Sequence, residues 1–195
     1  TAATTIATTS GIETSTVITA TRGSSDKTFT RTGTSTSGIT LTSSANQATL
    51  RVLSTVNPGT YYETVTATDT SSATTSIVFT IVVAPPPALL GTTRIETSKG
   101  TLYKSPLYAI SGGTGTLTMT LTNSPSNASI TLTGSSIAGT YLQVGSGSET
   151  GTYTSTIRVT DARGSFSELA VTVIVNAPVT LSGTFTIEKT YGNAT

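Results

Sequence analysis

The acidic side chains are the first candidates for chemistry in this sequence. The chain of 195 residues contains no His and no Cys, and it has nine Asp and Glu residues in total. Without His and Cys, the Ser–His and Cys–His pairs of nucleophilic enzymes cannot form, and the usual zinc sites lack ligands. A glycosidase needs only two acids, but no two of the nine acids are neighbours in the sequence. We therefore predict no enzymatic activity.

Two aspartates, Asp69 and Asp161, follow similar alternating segments and precede turn-forming residues. A carboxylate at the entry of a turn can accept hydrogen bonds from nearby backbone N–H groups. Calcium is the alternative, with Asp69, Asp161 and Glu96 as ligands, but calcium requires roughly six to eight oxygen ligands. Glu96 lies near a proline-rich segment that has no Asp- or Asn-rich motif. We therefore predict structural turn roles, with no metal and no cofactor.

Charge and hydropathy exclude further classes of function. Only 10% of the residues are charged and the formal net charge is +1, so no basic patch is available to hold nucleic acid phosphates. No apolar run approaches the roughly 20 residues that span a bilayer. We expect neither a nucleic acid partner nor a membrane span in this segment. Because the sequence opens at Thr1, we expect a processed or excised piece of a longer chain.

The sequence repeats itself. The stretch NPGTYYETVTATD at 57–69 returns as ETGTYTSTIRVTD at 149–161, 92 positions later. LLGTTRIETSKG at 89–100 similarly aligns with TLSGTFTIEKTYG at 180–192. Self-similarity at a fixed period indicates an array of modules. We predict one module at 1–84, a proline-rich linker at 85–90 and a second module at 91–177. Residues 178–195 are then either the first strand of a third repeat or an intermolecular donor strand.

Each module has the pattern of β-strands and shows no helical period. In the stretch at 59–69, Tyr61, Val65 and Ala67 alternate with Thr and Tyr residues, as expected for a strand with one solvated face. Threonine, the commonest residue, favours strands. Short strands separated by turn signals over about 90 residues are typical of a two-sheet Greek-key sandwich. Three consecutive prolines in the linker favour an extended array, because proline stiffens a connection.

The G-T-Y start, the Thr/apolar alternation, the V-T-x-T-D ending and the last Val-rich strand resemble the bacterial Ig-like and cadherin-like repeats of large surface proteins. The resemblance implies an extracellular Ig-like sandwich that serves as a spacer, stalk or adhesive module. The G-T-Y segments also resemble the tyrosine corner of Greek-key sandwiches. That resemblance implies that the hydroxyls of Tyr61 and Tyr153 bond to the backbone.

We accordingly predict a threonine-rich, non-catalytic structural protein of the cell surface or secreted space, which forms a stalk, surface layer or filament. Its partners would be neighbouring modules of the same longer chain, or further copies bound through residues 180–195. The alternative is an adhesin that binds a carbohydrate or a host-surface protein through the loops at the end of a sandwich. Tyr62, Tyr141 and the divergent stretch 20–36 are the candidates for that ligand site.

Three modifications are open. Asn127 and Asn193 each begin an N-x-Ser/Thr sequence that permits N-glycosylation in a suitable host. A Lys–Asn crosslink in the second module would require Lys99 or Lys104 beside Asn176 and Glu168.

Overall fold

The computed structural model of the protein describes residues 3–34, 37–134, 139–184, 186 and 192. These residues form β-strands and turns and contain no α-helix, so the all-β prediction is confirmed. The first seven strands are β1 (Ala3–Thr9), β2 (Thr14–Thr19), β3 (Thr28–Gly33), β4 (Ile39–Ser44), β5 (Gln47–Val52), β6 (Gly59–Thr68) and β7 (Thr74–Ala84). The others are β8 (Ala88–Leu90), β9 (Arg94–Ser98), β10 (Tyr103–Lys104), β11 (Ala109–Ser111), β12 (Thr118–Asn123), β13 (Ile130–Thr133), β14 (Tyr141–Val144), β15 (Gly151–Thr160) and β16 (Phe166–Asn176).

Strands β1–β7 form the first sandwich, which has two sheets of strand order β1-β7-β6-β3 and β2-β5-β4. The long hairpin of β6 and β7 is antiparallel, whereas β1 runs parallel to β7. Inward positions on β6 alternate strictly, because successive side chains of a strand point to opposite faces. The core between the two sheets contains Leu50, Val65, Phe79 and Ile81.

Strands β8–β16 form the second sandwich in nearly the same arrangement. Its sheets have the orders β12-β15-β16-β9 and β10-β14-β13, and β9 runs parallel to β16 as β1 does to β7. A separate core contains Leu142, Ile157, Val171 and Val173. A short two-stranded sheet of β8 and β11 is added to this sandwich.

Strand β8 lies within the segment 85–90 that the sequence predicts as a linker. Leu89 is 7% exposed and belongs to the second core. The extended connection between the sandwiches is therefore limited to the few residues that follow Ala84, the end of β7.

The last strand among the described residues ends at Asn176. Residues 177–184 are exposed and form no strand, and Val179 and Leu181 are 98% and 96% exposed. Most of the predicted third-repeat or donor strand at 178–195 lies outside the described residues. No helix in the described part of the chain is long and apolar enough to cross a membrane.

Candidate functional site: the junction between the two sandwiches

Asp69 organises the turn between β6 and β7. Its Oδ1 accepts hydrogen bonds from the backbone N–H groups of Ser71 and Ala73, each at 2.9 Å. Its Oδ2 accepts a hydrogen bond from the N–H of Ser24 at 3.1 Å. The carboxylate thus holds its own turn and also ties it to the neighbouring loop of the same sandwich.

Asp161 has the same role in the second sandwich and gains one more partner. Its Oδ1 accepts from the N–H groups of Arg163 and Ser165 at 2.8 and 2.9 Å, and its Oδ2 accepts from the N–H of Thr114 at 3.0 Å. The additional donor to Oδ2 is the hydroxyl of Thr9, at the end of β1 in the first sandwich. A turn aspartate of one sandwich is therefore bonded directly to a strand end of the other.

Further contacts surround this bond. The Thr9 Oγ1 lies 2.7 Å from the Thr114 Oγ1, and the Thr114 hydroxyl donates to the carbonyl oxygen of Thr8 at 2.8 Å. The N–H of Gly113 donates to the carbonyl oxygen of Pro85 in the connection, at 2.8 Å. Thr8, Thr9 and Asp161 are 1%, 0% and 5% exposed. Because hydrogen bonds to a charged group strengthen away from water, this polar cluster stabilises one arrangement of the two sandwiches.

The two aspartates also share a direction of pKa shift. Burial is the largest influence on Asp161 and would raise the pKa of its carboxyl. The hydrogen bonds from Thr9, Thr114, Arg163 and Ser165 together outweigh burial and lower that pKa below its usual value. The pKa of the Asp69 carboxyl is lowered mainly by the backbone N–H of Ala73, followed by that of Ser24. Both groups are therefore charged at neutral pH.

The two tyrosines of the G-T-Y segments bond to the backbone four residues before them. The Tyr61 hydroxyl donates to the carbonyl oxygen of Asn57 at 2.8 Å, and the Tyr153 hydroxyl donates to that of Glu149 at 2.9 Å. Each bond closes the loop that precedes a long strand, β6 or β15. These contacts position the strands whose far ends carry Asp69 and Asp161.

The structure does not bring the candidate calcium ligands together. Glu96 accepts hydrogen bonds from Arg94 at 2.9 Å and from Asn176 at 3.2 Å. Within the described ranges, no group of three or more His, Cys, Asp or Glu residues could hold a metal ion. The oxygens of Asp69 and Asp161 are occupied by the N–H and hydroxyl donors described above.

Glu63 lies in the core of the first sandwich, on the same buried face of β6 as Val65 and Ala67. Its side chain is 0% exposed and its Oε2 lies 2.8 Å from Arg31 Nη1. Its Oε1 has no hydrogen-bond partner. The corresponding position of β15 holds Ser155, so this ion pair is particular to the first sandwich.

The remaining candidate residues lie apart from the junction. Tyr62 is 59% exposed, and Tyr141 has the Lys104 Nζ 5.4 Å from its ring centroid. Asn127 is exposed, and Asn193 lies outside the described residues. The residues of the candidate crosslink have other partners: Lys99 pairs with Glu149 and Glu168 with Arg158.

Thr9 and Thr114 are the site residues that sequence reasoning did not identify. Threonine is so common in this chain that no single threonine stands out. The bond from Thr9 to Asp161 joins residues separated by 152 positions. Only the packing of the two sandwiches brings them into contact.

Comparison with known structures supports the architecture. The I-band fragment I67-I69 from titin aligns with a TM-score of 0.54 and 15% identity, over 90% of this chain and 64% of the fragment. A variant of the same three Ig domains, with Glu-to-Ala mutations, aligns with a TM-score of 0.57, also at 15% identity and with the same coverage. This chain thus spans about two thirds of the length of these fragments. No known family and no curated protein sequence matches the chain. Its structural neighbours establish that the chain has an Ig-like fold.

Proposed function

We propose that this chain is a non-catalytic structural segment of an extracellular surface protein, built from Ig-like modules joined end to end as a stalk, surface layer or filament. The observation that carries the proposal is the buried polar cluster of Thr8, Thr9, Thr114 and Asp161 between the sandwiches. A flexible tether between independent domains needs no such cluster. A load-bearing or space-filling rod requires such a cluster, because the length of the rod depends on the angle at each joint.

The surface location is supported by the resemblance of the sequence to bacterial surface repeats. The Thr-rich solvated face of β6 is polar without being charged. Labelling of intact cells of the source organism with an antibody against this chain tests the location. Labelling only after the cells are permeabilised would contradict it.

The joint itself is tested by residual dipolar couplings measured separately for the two sandwiches. We expect one common alignment tensor for the wild-type chain, because the cluster holds a single orientation. Thr9→Val keeps the shape of the side chain but removes the hydroxyl, so the two tensors should diverge. Thr5→Val, on the same strand but away from the junction, is the matched control. Two unrelated tensors in the wild type would contradict the proposal.

An adhesive role is the second candidate, and one observation favours it. Tyr62 is 59% exposed on the solvated face of β6, where an aromatic ring could stack on a sugar or a protein ligand. A glycan array with the wild type and Tyr62→Ala tests this role. Binding that is lost in the variant would support the adhesin, whereas an array without any binding would leave no basis for sugar recognition.

A further inference from the structure

The first sandwich has an open groove at the place where the second sandwich holds β8. In the second sandwich, Leu89 of β8 lies opposite Ile110 of β11 and is buried in the core. The segment of the first sandwich that corresponds to β11 continues β2, which pairs with β5 along one edge. In the described part of that sandwich, residues 3–34 and 37–84, no strand pairs with its other edge. An edge of this kind presents unpaired backbone groups to an added strand.

The correspondence between the sandwiches follows from their strand registers. Phe29 of β3 lies opposite Ala67 of β6, and Met119 of β12 lies opposite Val159 of β15. Because β6 and β15 align along their whole lengths, Phe29 takes the place of Met119. The same spacing makes Thr19–Thr21 of the first sandwich the counterpart of β11, and Arg22 the counterpart of Gly112.

The groove is lined by the counterparts of the residues that surround Leu89. It consists of two adjoining cavities of about 40 and 150 Å³ that share Ala20, Ala67 and Thr75. The smaller cavity is otherwise lined mainly by Ile18, Phe29, Val65 and Ile77. The residues in those positions of the second sandwich belong to or pack against the core that contains Leu89: Tyr108, Met119, Ile157 and Leu169. The groove thus has the location and the apolar lining to receive a leucine.

Residues 178–184 have a leucine at the position that corresponds to Leu89 of β8. Leu181 aligns with Leu89, and it follows Asn176 at the same spacing at which Leu89 follows Ala84. Residues 178–184 are exposed, and the Leu181 side chain is 96% exposed. This segment leaves the second sandwich at the pole opposite to Asp161, so it extends away from the groove of its own chain.

We infer that residues 179–183 of one copy add an antiparallel strand to Thr19–Thr21 of a second copy, with Leu181 opposite Ala20 and inserted into the groove. The contact copies the pairing of β8 with β11 in trans. It deepens the proposed structural function and rests on it. Because the groove and residues 179–183 lie at opposite poles of the two-sandwich unit, a contact between two copies is head-to-tail and produces an open filament.

The hydrogen bond between Thr9 and Asp161 also has a counterpart at the proposed contact between two copies. Ser98 ends β9 opposite Asn176, as Thr9 ends β1 opposite Ala84. Asp69 presents the same carboxylate as Asp161 but receives no hydroxyl from a strand end. In the filament, the Ser98 hydroxyl of one copy donates to the Asp69 carboxylate of the next.

One position of the proposed contact differs from its counterpart at the junction between the two sandwiches. A Cβ on Gly112 would lie 2.4 Å from the carbonyl oxygen of Pro86, and Gly112 has a φ of +72°. Arg22 occupies the corresponding place with a φ of +69°. The carbonyl of Pro178 must therefore shift in the filament. Arg22→Gly removes both the obstruction and the positive-φ strain, so it should strengthen association.

Sedimentation velocity of the full chain over a concentration series tests the inference. We expect oligomers of increasing length for the wild type. Leu181→Asp should raise the dissociation constant by at least about 10-fold, since a charge cannot enter the apolar groove. Thr180→Asp is the matched control, because Thr180 is exposed and corresponds to Ala88 of β8, whose side chain stays exposed beside the filled groove. At concentrations where all the chains are monomeric, neither variant should change the melting temperature, since both side chains are exposed.

A mixing experiment tests the two halves of the contact. Ala20→Glu blocks the groove and Leu181→Asp disables the tail, so each variant alone should be monomeric. An equimolar mixture should form a 1:1 dimer and no longer species, because only one working groove and one working tail remain. Circular dichroism of Ala20→Glu verifies that it is folded.

The inference is overturned if the wild type is monomeric at every concentration, or if Leu181→Asp and Thr180→Asp associate equally. Oligomers that persist in Ala20→Glu would equally reject the groove. A wild type that is monomeric but has a single alignment tensor would reject this contact and leave the proposed stalk function standing. Two unrelated tensors would reject the stalk itself, so the two failures are distinguishable.

Discussion

The two sandwiches carry the same polar turn at the same pole, but only one of these turns is part of a joint. Asp161 is 5% exposed and accepts a hydroxyl from the preceding sandwich, whereas Asp69 is partly exposed and accepts hydrogen bonds from Ser24, Ser71 and Ala73 of its own sandwich. The same difference holds for the apolar side of the pole, where Leu89 fills one groove and the other is open. In the second sandwich this pole is in contact with the first sandwich. In the first sandwich the same surface is open.

The physical basis of this difference is solvent exclusion. A carboxylate that accepts several hydrogen bonds in a buried cluster depends on every one of them, because an unpaired donor or acceptor in such a cluster is costly. Near the surface, water replaces a lost partner. Substitutions at equivalent positions of the two poles should therefore have unequal effects.

The largest difference is expected for the paired leucines. Leu89→Ala should destabilise the second sandwich by about 2–5 kcal/mol, because it removes a buried leucine and leaves a cavity. Leu181→Ala in the dilute, monomeric chain should change stability by less than about 0.5 kcal/mol, since its side chain is exposed. Differential scanning calorimetry of both variants measures the two effects. Equal effects would mean that β8 is no part of the core.

The paired aspartates should differ next. Asp161→Asn presents an amide where an oxygen accepts from Thr9 and Thr114, and it should lower the free energy of unfolding by about 1–3 kcal/mol. Asp69→Asn disturbs one N–H bond, and water can reach the site, so a smaller loss is expected. Urea unfolding of both variants makes the measurement. A larger loss of unfolding free energy for Asp69→Asn than for Asp161→Asn would contradict the expected difference between the two poles.

The paired tyrosines should differ less. Tyr153 is 8% exposed, and Tyr153→Phe leaves the carbonyl of Glu149 without its donor, for an expected loss of about 0.5–1.5 kcal/mol. Tyr61→Phe should cost less, because Tyr61 is more exposed and solvent can replace its hydroxyl at Asn57. The same urea titration applies. Losses that are equal within error would show that burial does not determine the strength of these bonds.

The smallest effect concerns pH. Both carboxyls have a folded-state pKa below the unfolded value of about 3.9, so the unfolded chain binds more protons as pH falls. Their stabilisation is complete above about pH 5 and is lost as pH falls through about 4 towards the folded pKa. We expect Asp161→Asn to flatten the acid limb of melting temperature against pH for the second sandwich. An unchanged limb would exclude Asp161 as its origin.

Much of the fold could be predicted from the sequence because strand patterning is local. The alternation in GTYYETVTATD and GTYTSTIRVTD predicts inward Val65, Ala67, Ile157 and Val159, and all four are buried. The turn-entry role predicted for Asp69 and Asp161 likewise depends on residues two and four positions away. Such contacts follow from chain geometry, without knowledge of what packs nearby.

The sequence by itself therefore determined the β-strands, their repeat, the turn aspartates and the tyrosines near the start of the long strands. Only the tertiary structure decided that Asp161 bonds to Thr9, that Leu89 belongs to a core and that Glu63 is buried beside Arg31. Each of these contacts joins residues from different strands or different sandwiches. A hydrophobic or hydroxyl side chain indicates that a surface can be buried. Which residues bury it depends on how the whole chain packs.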